Sequence, residues 1–296
     1  MIRSAFLGFG ILLGGSWLAA QESALPLGWE RISLPPLRVA GQPARAHTQG
    51  LETVGDDFWV TARRDDVTPR TALLLRTSRT ASAWDAWELP RPEVALDHPG
   101  GLQSDGQRLW IPLSGSRRDI RSLIQAYRLT DLVPGAPARP EREFPVADHI
   151  GALAVDRLGH LWGASWDTVT VREWDETGVL KSTWSAERMR ALGLGFAGAG
   201  SGLTVQDWKW LGGEIYATGL WKSEAKTAAP ASRLLRFSVE SGPSQSGQLT
   251  VLPLLDGVEA AREGMSLRDG ILRVLPGDLG ATNVLYQIPV TSLGKR

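Results

Sequence analysis

Three of the four histidines in this 296-residue chain are spaced 51 residues apart, and each begins a similar short phrase. A rare residue that recurs at a fixed interval indicates an internal repeat, and a repeat of about 50 residues is typical of propellers and solenoids. This interval constrains the fold more than any other feature of the sequence. The phrases are His47-Thr48-Gln49-Gly50-Leu51, His98-Pro99-Gly100-Gly101-Leu102 and His149-Ile150-Gly151-Ala152-Leu153.

Each phrase is followed by a Gly or Asp turn and then by a second apolar run, a pattern that predicts a β-hairpin. The same pattern recurs with different residues in two further units, which begin at Thr204 and at Ala261. The turns of these last two units are Gly212-Gly213 and Asp269-Gly270. The sequence therefore contains five units, which begin near residues 47, 98, 149, 204 and 261.

Two further strand-like runs follow the hairpin in each of the first four units, and four strands per unit are typical of a propeller blade. The fifth unit lacks one strand, and the alternating segment Trp29–Leu34 can supply it from the N-terminus. We predict an all-β fold, a five-bladed β-propeller with four-stranded blades, whose N-terminal strand closes the last blade. The segment Ser185–Arg190 predicts a short capped helix inserted between the third and fourth blades.

The N-terminus has the composition of a signal peptide. Arg3 precedes the mainly apolar stretch Ala5–Ala19, which is too short to span a membrane comfortably, and Leu18-Ala19-Ala20 offers a cleavage site. We predict a signal peptide over residues 1–20 and one secreted or periplasmic propeller domain over 21–296, with no stable membrane span after cleavage. An uncleaved N-terminal anchor is the alternative.

Composition removes several classes of function. Lys+Arg and Asp+Glu both number 32, so no basic field is available to hold nucleic acid. There is no cysteine, which excludes disulfides, thiol catalysis and thiolate metal sites. No phosphate-binding Walker loop, serine nucleophile elbow or dinucleotide fingerprint is present.

The first strand of each propeller blade lines the central channel, so the phrases predict which side chains meet at its mouth. Residues i and i+2 of an extended strand share a face, which places two columns of side chains there. Blade five neighbours blade one in a closed ring, and Glu263 is therefore expected beside His47. The columns are His47, His98, His149, Thr204 and Ala261, followed by Gln49, Gly100, Gly151, Gln206 and Glu263.

Three imidazoles and one carboxylate form a metal-ligand set, so His47, His98, His149 and Glu263 predict a site for one divalent ion, either Zn, Fe, Mn or Ca. Such an ion polarises a carbonyl or activates a bound water. Two alternatives stay open. The histidines act as general bases without metal, or they only bond backbone and buried water in the channel.

Further contacts to a small-molecule ligand are predicted around this mouth. Gln49, Gln206 and Asp207 belong to the inner strands, whereas Arg117 and Trp166 lie on loops that open on the same face. Basic residues on these loops, which include Arg63, Arg64, Arg117 and Lys222, form an expected basic rim that favours an anionic ligand, although ordinary solvated loops would have the same composition.

The phrases also carry a resemblance as a set. His47-Thr48-Gln49-Gly50, Asp97-His98-Pro99-Gly100-Gly101, Asp148-His149-Ile150-Gly151-Ala152, Gln206-Asp207 and Glu263-Gly264 together resemble a family of exported bacterial β-propeller proteins of unknown function. The resemblance covers most of the mature chain and implies a propeller and export, without an activity. A looser similarity, of fold alone, links such propellers to lactonases and related hydrolases with a channel metal.

Together these observations predict an exported propeller with a His/Glu-lined ligand or metal site at the channel mouth. A hydrolase or lyase acting on a small anionic or sugar-derived substrate fits that site. The alternative is a non-catalytic binding or scaffold module with a protein partner.

Overall fold

The computed structural model describes residues 25–115, 117, 120–197, 200–222, 231–239 and 247–293. The predicted signal segment lies outside these residues. Among the described residues, no helix combines the length and apolar character needed to cross a bilayer.

The described residues form five four-stranded antiparallel blades and two small hairpins. The chain begins with β1 (Glu30–Leu34) and the hairpin β2 (Arg38–Val39) and β3 (Gln42–Pro43). Blade one contains β4 (His47–Val54), β5 (Asp57–Arg64), β6 (Thr71–Ser78) and β7 (Asp85–Glu88). Blade two contains β8 (His98–Pro99), β9 (Gln103–Ser104), β10 (Arg108–Ser114), β11 (Ser122–Arg128) and β12 (Arg142–Val146). Blade three contains β13 (Ile150–Val155), β14 (Leu161–Ser165), β15 (Thr170–Trp174) and β16 (Leu180–Ser185).

A helix, α1 (Ala186–Ala191), follows blade three, and Ser185 accepts the capping hydrogen bond from the backbone N–H of Arg188, as the sequence predicted. Blade four contains β17 (Gly202–Leu211), β18 (Glu214–Lys222), β19 (Ala231–Ser238) and β20 (Gln248–Val251). The second small hairpin is β21 (Leu254–Leu255) and β22 (Val258–Glu259). Blade five contains β23 (Gly264–Arg268), β24 (Ile271–Leu275) and β25 (Asn283–Pro289), with β1 as its outer strand.

The pairing of the two termini closes the ring, which confirms the predicted five-bladed propeller. β1 pairs antiparallel with β25, and Ile32 lies opposite Leu285. The N-terminal strand therefore covers the edge that β25 would otherwise expose.

Tight turns between the first and second strands also agree with the sequence. Gly212 and Gly213 have φ of 62° and 88°, and Asp269 and Gly270 have φ of 53° and 71°. Two consecutive residues with positive φ are what a type I′ hairpin turn requires, and its twist matches that of the strands it joins.

The apolar core lies between neighbouring blades. Trp59 of blade one packs in one cluster with Leu109 and Ile111 of blade two, whereas Trp162 of blade three shares a cluster with Trp208 of blade four. Central strands such as β10, the second strand of blade two, are buried on both faces because a neighbouring blade covers each face. The tryptophans of the repeat therefore hold the blades together.

Blade two departs from the prediction of one continuous inner strand. Its inner strand is split into β8 and β9, with Gly100-Gly101-Leu102 between them. Proline at Pro99 lacks a ladder donor, and the Gly101 N–H donates instead to the carbonyl of Gly151 in blade three at 3.0 Å. The gap therefore connects two blades.

A buried ion pair fills the middle of the channel. Asp207 is fully buried, and its carboxylate lies 2.6 Å from the ammonium of Lys209. It also accepts the backbone N–H groups of Leu51 in blade one at 3.0 Å and Met265 in blade five at 2.9 Å. Lys209 donates to the carbonyl of Leu102 in blade two at 2.6 Å. One strand of blade four therefore bonds three other blades across the axis.

A second polar group lies further along the axis. The buried side chain of Gln103 accepts the N–H of Val155 in blade three at 3.0 Å and of Trp210 in blade four at 2.8 Å. Glu52 accepts from Ser104 of blade two at 3.2 Å and Arg268 of blade five at 3.3 Å. These bonds provide partners for backbone N–H groups of the inner strands where the blades converge. The channel is therefore filled below its mouth.

We expect Asp207→Asn to destabilise the whole propeller, because the variant leaves the buried Lys209 ammonium without its counter-charge. Removing one partner of a buried ion pair costs about 3–5 kcal/mol. Urea unfolding measures this loss, with Asp56→Asn, at an exposed turn position, as the control. Equal stabilities of the two variants would contradict the central role of Asp207.

Candidate functional site

A pocket of about 410 Å³ opens at the channel mouth, on the face where the inner strands begin. Seven of the nine residues predicted from sequence line it, from all five blades or the loops beside them. We call it the mouth pocket, and its lining residues are His47, Gln49, His98, His149, Gly151, Trp166, Thr204, Val205, Gln206, Leu220, Lys222 and Glu263.

A repeated β-bulge turns the second column of side chains toward this pocket. The strand register shifts between Thr48 and Gly50, between Ile150 and Ala152, and between Val205 and Asp207. The extra residue in each case is the second-column residue of the phrase. A bulge leaves its extra residue outside the ladder and redirects its side chain, so Gln49 and Gln206 face the ligand space.

His47 joins two carboxyl groups at one side of the mouth pocket. Its Nδ1 lies 2.7 Å from Asp278 Oδ1, and its Nε2 lies 4.0 Å from Glu263 Oε2. Asp278 belongs to the loop between β24 and β25, which Thr48 anchors by donating to the carbonyl of Gly277 at 2.9 Å. Glu263 comes directly before β23. Blade five lies beside blade one, as predicted, and this places His47 between Asp278 and Glu263. We call these three residues the acid–histidine row.

The members of this row differ in protonation. Burial raises the pKa of Glu263 to about 8, so its carboxyl group is neutral at pH 7. The hydrogen bond from His47 lowers the pKa of Asp278, and the same bond is the main cause that raises the pKa of His47. The row therefore contains a neutral acid, an imidazole and an ionised carboxylate. Groups whose environments separate their pKa values in this way are suited to acid and base roles.

His98 has both ring nitrogens engaged by protein groups. Its Nδ1 lies 2.7 Å from Arg63 Nη1, and its Nε2 lies 2.9 Å from Gln49 Oε1. Burial, followed by the charge of Arg63, lowers the pKa of His98 to about 3. His98 is therefore neutral and serves to position its neighbours.

His149 and Trp166 form an aromatic wall of the pocket. Their ring centroids lie 6.1 Å apart, and His149 also contacts His98 edge-on at 5.8 Å. Trp166 is exposed, with 44% of the residue's surface accessible to solvent. Gly151 permits this approach, because a Cβ there would lie 2.8 Å from the Trp166 Cα. The pocket therefore offers an accessible indole beside polar groups.

The predicted cation set is present in the pocket, but its four members are not equally close. Among the described residues, His47, Glu263 and Asp278 have ligand atoms within 4.8 Å of one another, as do Asp156, His160 and Glu173 elsewhere in blade three. An ion bound by all of His47, His98, His149 and Glu263 would require His98 to release Arg63 or Gln49. A divalent ion at this set stays a prediction.

Two predicted ligand contacts lie elsewhere. Asp207 is fully buried below the mouth pocket, and its carboxylate is saturated by protein donors. Arg117 is exposed on the loop between β10 and β11 and does not line the pocket. Arg63 and Arg64 of the expected basic rim form ion pairs with Asp65 and Asp66, each at 2.7 Å. These pairs neutralise much of the rim that the sequence suggested.

Two functional contacts were missed from the sequence. Asp278 lies in a loop without any repeat signal, although the closed ring brings the blade-five loop beside His47. Lys222, at the end of β18, was expected on the basic rim and lines the pocket as an exposed cation. Arg63 was counted as a rim charge, whereas its guanidinium reaches His98 in the next blade. Only three-dimensional proximity identifies these contacts.

Comparison with known proteins identifies similar folds but does not assign the chain to a family. No family model and no curated protein match the chain. A bifunctional GH43-CE protein from Bacteroides eggerthii is similar with a TM-score of 0.54 and 13% identity over 86% of this chain and 34% of that one. An engineered GH43 glycoside hydrolase with endo-xylanase and exo-arabinofuranosidase activity has a TM-score of 0.52 and 14% identity over 86% of this chain and 51% of that one. An exo-1,5-alpha-L-arabinanase from a bovine ruminal metagenomic library has a TM-score of 0.50 and 10% identity over 83% and 94%.

The raised pKa of Glu263 predicts a specific dependence of stability on pH. A carboxyl group that titrates at about 8 in the fold, rather than at its ordinary 4.5, stabilises the fold fully below pH 4.5. This contribution is lost as pH rises toward and through 8, by up to about 1.4 kcal/mol per pH unit. We therefore expect Glu263→Gln to lose less stability than the wild type between pH 5 and pH 9.

Urea unfolding at several pH values measures this difference, with the exposed Glu93→Gln as the matched control. The control is expected to follow the wild type. Parallel curves for wild type and Glu263→Gln would show that Glu263 is ionised across this range.

Proposed function

We propose that this protein is a hydrolase that binds a small sugar-derived molecule in the mouth pocket. The observation that carries the proposal is the acid–histidine row, in which a buried neutral Glu263 and an Asp278-bound His47 lie side by side at one side of the ligand space. Other residues of the pocket lining provide an indole and amide groups.

The lining of the pocket fits a polyhydroxylated ligand. The exposed indole of Trp166 offers an apolar ring face, which suits the C–H face of a sugar ring. Gln49 and Gln206 supply amide donors and acceptors for hydroxyl groups. Lys222 adds a cation at the rim, which favours a ligand with a carboxylate or another acidic group.

The row supports acid–base hydrolysis. Glu263 in its neutral form donates its proton to the oxygen of the leaving group as the bond to that oxygen breaks. His47 accepts a proton from water at Nε2 while the water oxygen bonds to the substrate carbon. Asp278 accepts the Nδ1–H of His47, so it orients the ring and stabilises the imidazolium that forms. Glu263 then carries the negative charge and His47 the positive charge until they exchange protons with solvent.

Fold comparison supports the proposal only at the level of architecture. The three similar structures described above are GH43 proteins or an arabinanase, so propellers of this fold accommodate glycoside hydrolysis. Fold alone does not establish activity, and the argument for this chain comes from its own pocket. We also propose that the domain acts after export, as its N-terminal sequence predicts.

A divalent ion is a distinct proposal for the same row. The pocket-facing Nε2 of His47 and the Glu263 carboxylate would hold it, and Asp278 would orient the imidazole from behind. When bound, such an ion would supply Lewis-acid activation of water or substrate. Both versions use the same residues, and chelation separates them.

We expect Glu263→Gln to reduce kcat by about 10²–10⁴-fold, because the variant has no proton to donate at the leaving oxygen. Nitrophenyl glycosides of arabinose, xylose and glucuronic acid, together with gluconolactone, form the substrate panel. The rate should be highest between the raised pKa of His47 and about pH 8, where His47 is neutral and Glu263 is protonated.

The exposed Glu93→Gln serves as the control and should retain wild-type rates. Activity that is lost on dialysis against a chelator and restored by zinc or manganese would favour the metal-assisted version. Ligand binding without turnover of any substrate would contradict a hydrolase and favour a sugar-binding module.

A further inference from the structure

The contact between Arg63 and His98 fixes which nitrogen of His98 carries the proton. A guanidinium has donors only, so at 2.7 Å the Nδ1 of His98 must accept from Arg63 Nη1. Neutral imidazole has one N–H, which then resides on Nε2. That N–H donates to Gln49 Oε1 at 2.9 Å.

The tautomer of His98 in turn fixes the orientation of the Gln49 amide. Its oxygen accepts from His98, so its NH₂ group is the end available to the ligand space that Gln49 lines. Gln49 is the extra residue of the β4 bulge and is buried apart from this face. At this position the pocket therefore presents donors rather than an acceptor.

Arg63 is itself held in place. Its Nε and Nη2 donate to Asp65 at 2.7 and 3.1 Å, and its side chain is 14% exposed. Arg63 also lies opposite His47 in the β4–β5 register. The planar fork on Asp65 leaves Nη1 directed toward His98, which a flexible point charge would not ensure.

We propose that Arg63 is a positioning residue that holds His98 in its Nε2–H tautomer and thereby turns the Gln49 amide N–H groups toward the ligand. This arrangement selects a ligand that places an oxygen acceptor, such as a hydroxyl, carbonyl or carboxylate oxygen, beside Gln49. It disfavours a ligand with an ammonium group there. The tautomer is a property of the free protein, whereas its effect on ligand choice rests on the proposed function.

Nitrogen-15 NMR of histidine-labelled, ligand-free protein at pH 7 tests the tautomer directly. We expect wild-type His98 to show a protonated Nε2 and an unprotonated Nδ1. Arg63→Met should lose this pattern and give a mixture of tautomers, because no donor then faces Nδ1. Arg63→Lys keeps a donor but lacks the fork on Asp65, so it should restore the Nε2–H form only in part.

Arg64→Met is the matched control, because Arg64 makes the same fork on Asp66, at 2.7 and 3.1 Å, without a histidine partner. It should leave the His98 signals unchanged. A wild-type His98 that carries its proton on Nδ1 would overturn the proposal, and this measurement needs no variant to fold. Wild-type tautomer in folded Arg63→Met would also overturn it.

Calorimetric titration with D-glucuronate, the probe ligand, tests the consequence for binding. We expect Arg63→Met to weaken the affinity about tenfold, as the loss of one well-oriented hydrogen bond implies, and Arg64→Met to leave it unchanged. Equal affinities of wild type and Arg63→Met would overturn the proposed ligand selection. If wild type binds no glucuronate, the ligand class of the proposed function fails, and the NMR result still decides the tautomer.

Discussion

The buried carboxylate of Asp207 is the interaction on which the arrangement of the blades depends. It accepts backbone N–H groups from blades one and five and pairs with Lys209, which donates to blade two. Burial raises the pKa of Asp207 to about 6, while the nearby ammonium opposes this rise, so the carboxylate is ionised at neutral pH. The inner strands converge too closely here to leave room for apolar side chains between them. A Cβ at Gly264 would lie 2.6 Å from the carbonyl carbon of Gly50, and a Cβ at Gly101 would overlap the Asp207 carboxylate.

Closing the channel at this level makes the mouth pocket blind-ended and gives its side chains different environments. Glu263 lies on the buried side, where desolvation raises its pKa, whereas Asp278 is more exposed, with 59% of its side chain accessible. His47 lies between them because the ring joins blade five to blade one. The asymmetry of the pocket therefore arises from the closure of the ring and from the sequence differences among its five repeats.

The five-bladed fold could be predicted because the sequence displays the features that determine it. These are the equal histidine spacing, the hairpin turns and an N-terminal strand outside the repeats. Most pocket residues could also be predicted, since the first strand of a blade lines the axis. The bulges at Gln49 and Gln206 could not, because a register shift depends on pairing that no single strand displays. Asp207 was expected at the ligand and is instead structural, because it is fully buried below the mouth pocket and its carboxylate is occupied by two backbone N–H groups and by Lys209. Contacts such as those of Asp278 and Arg63 depend on loops and long side chains that cross between blades.

The protonation of Glu263 tests the central claim most directly, because the proposed chemistry requires a neutral carboxyl group next to His47. Carbon-13 NMR of glutamate-labelled, ligand-free protein follows its carboxyl carbon across the pH range, and the spectrum of Glu263→Gln assigns the signal. The account predicts that Glu263 is protonated at pH 7 and titrates at about 8. A Glu263 signal that titrates near the ordinary value of 4.5 would contradict it.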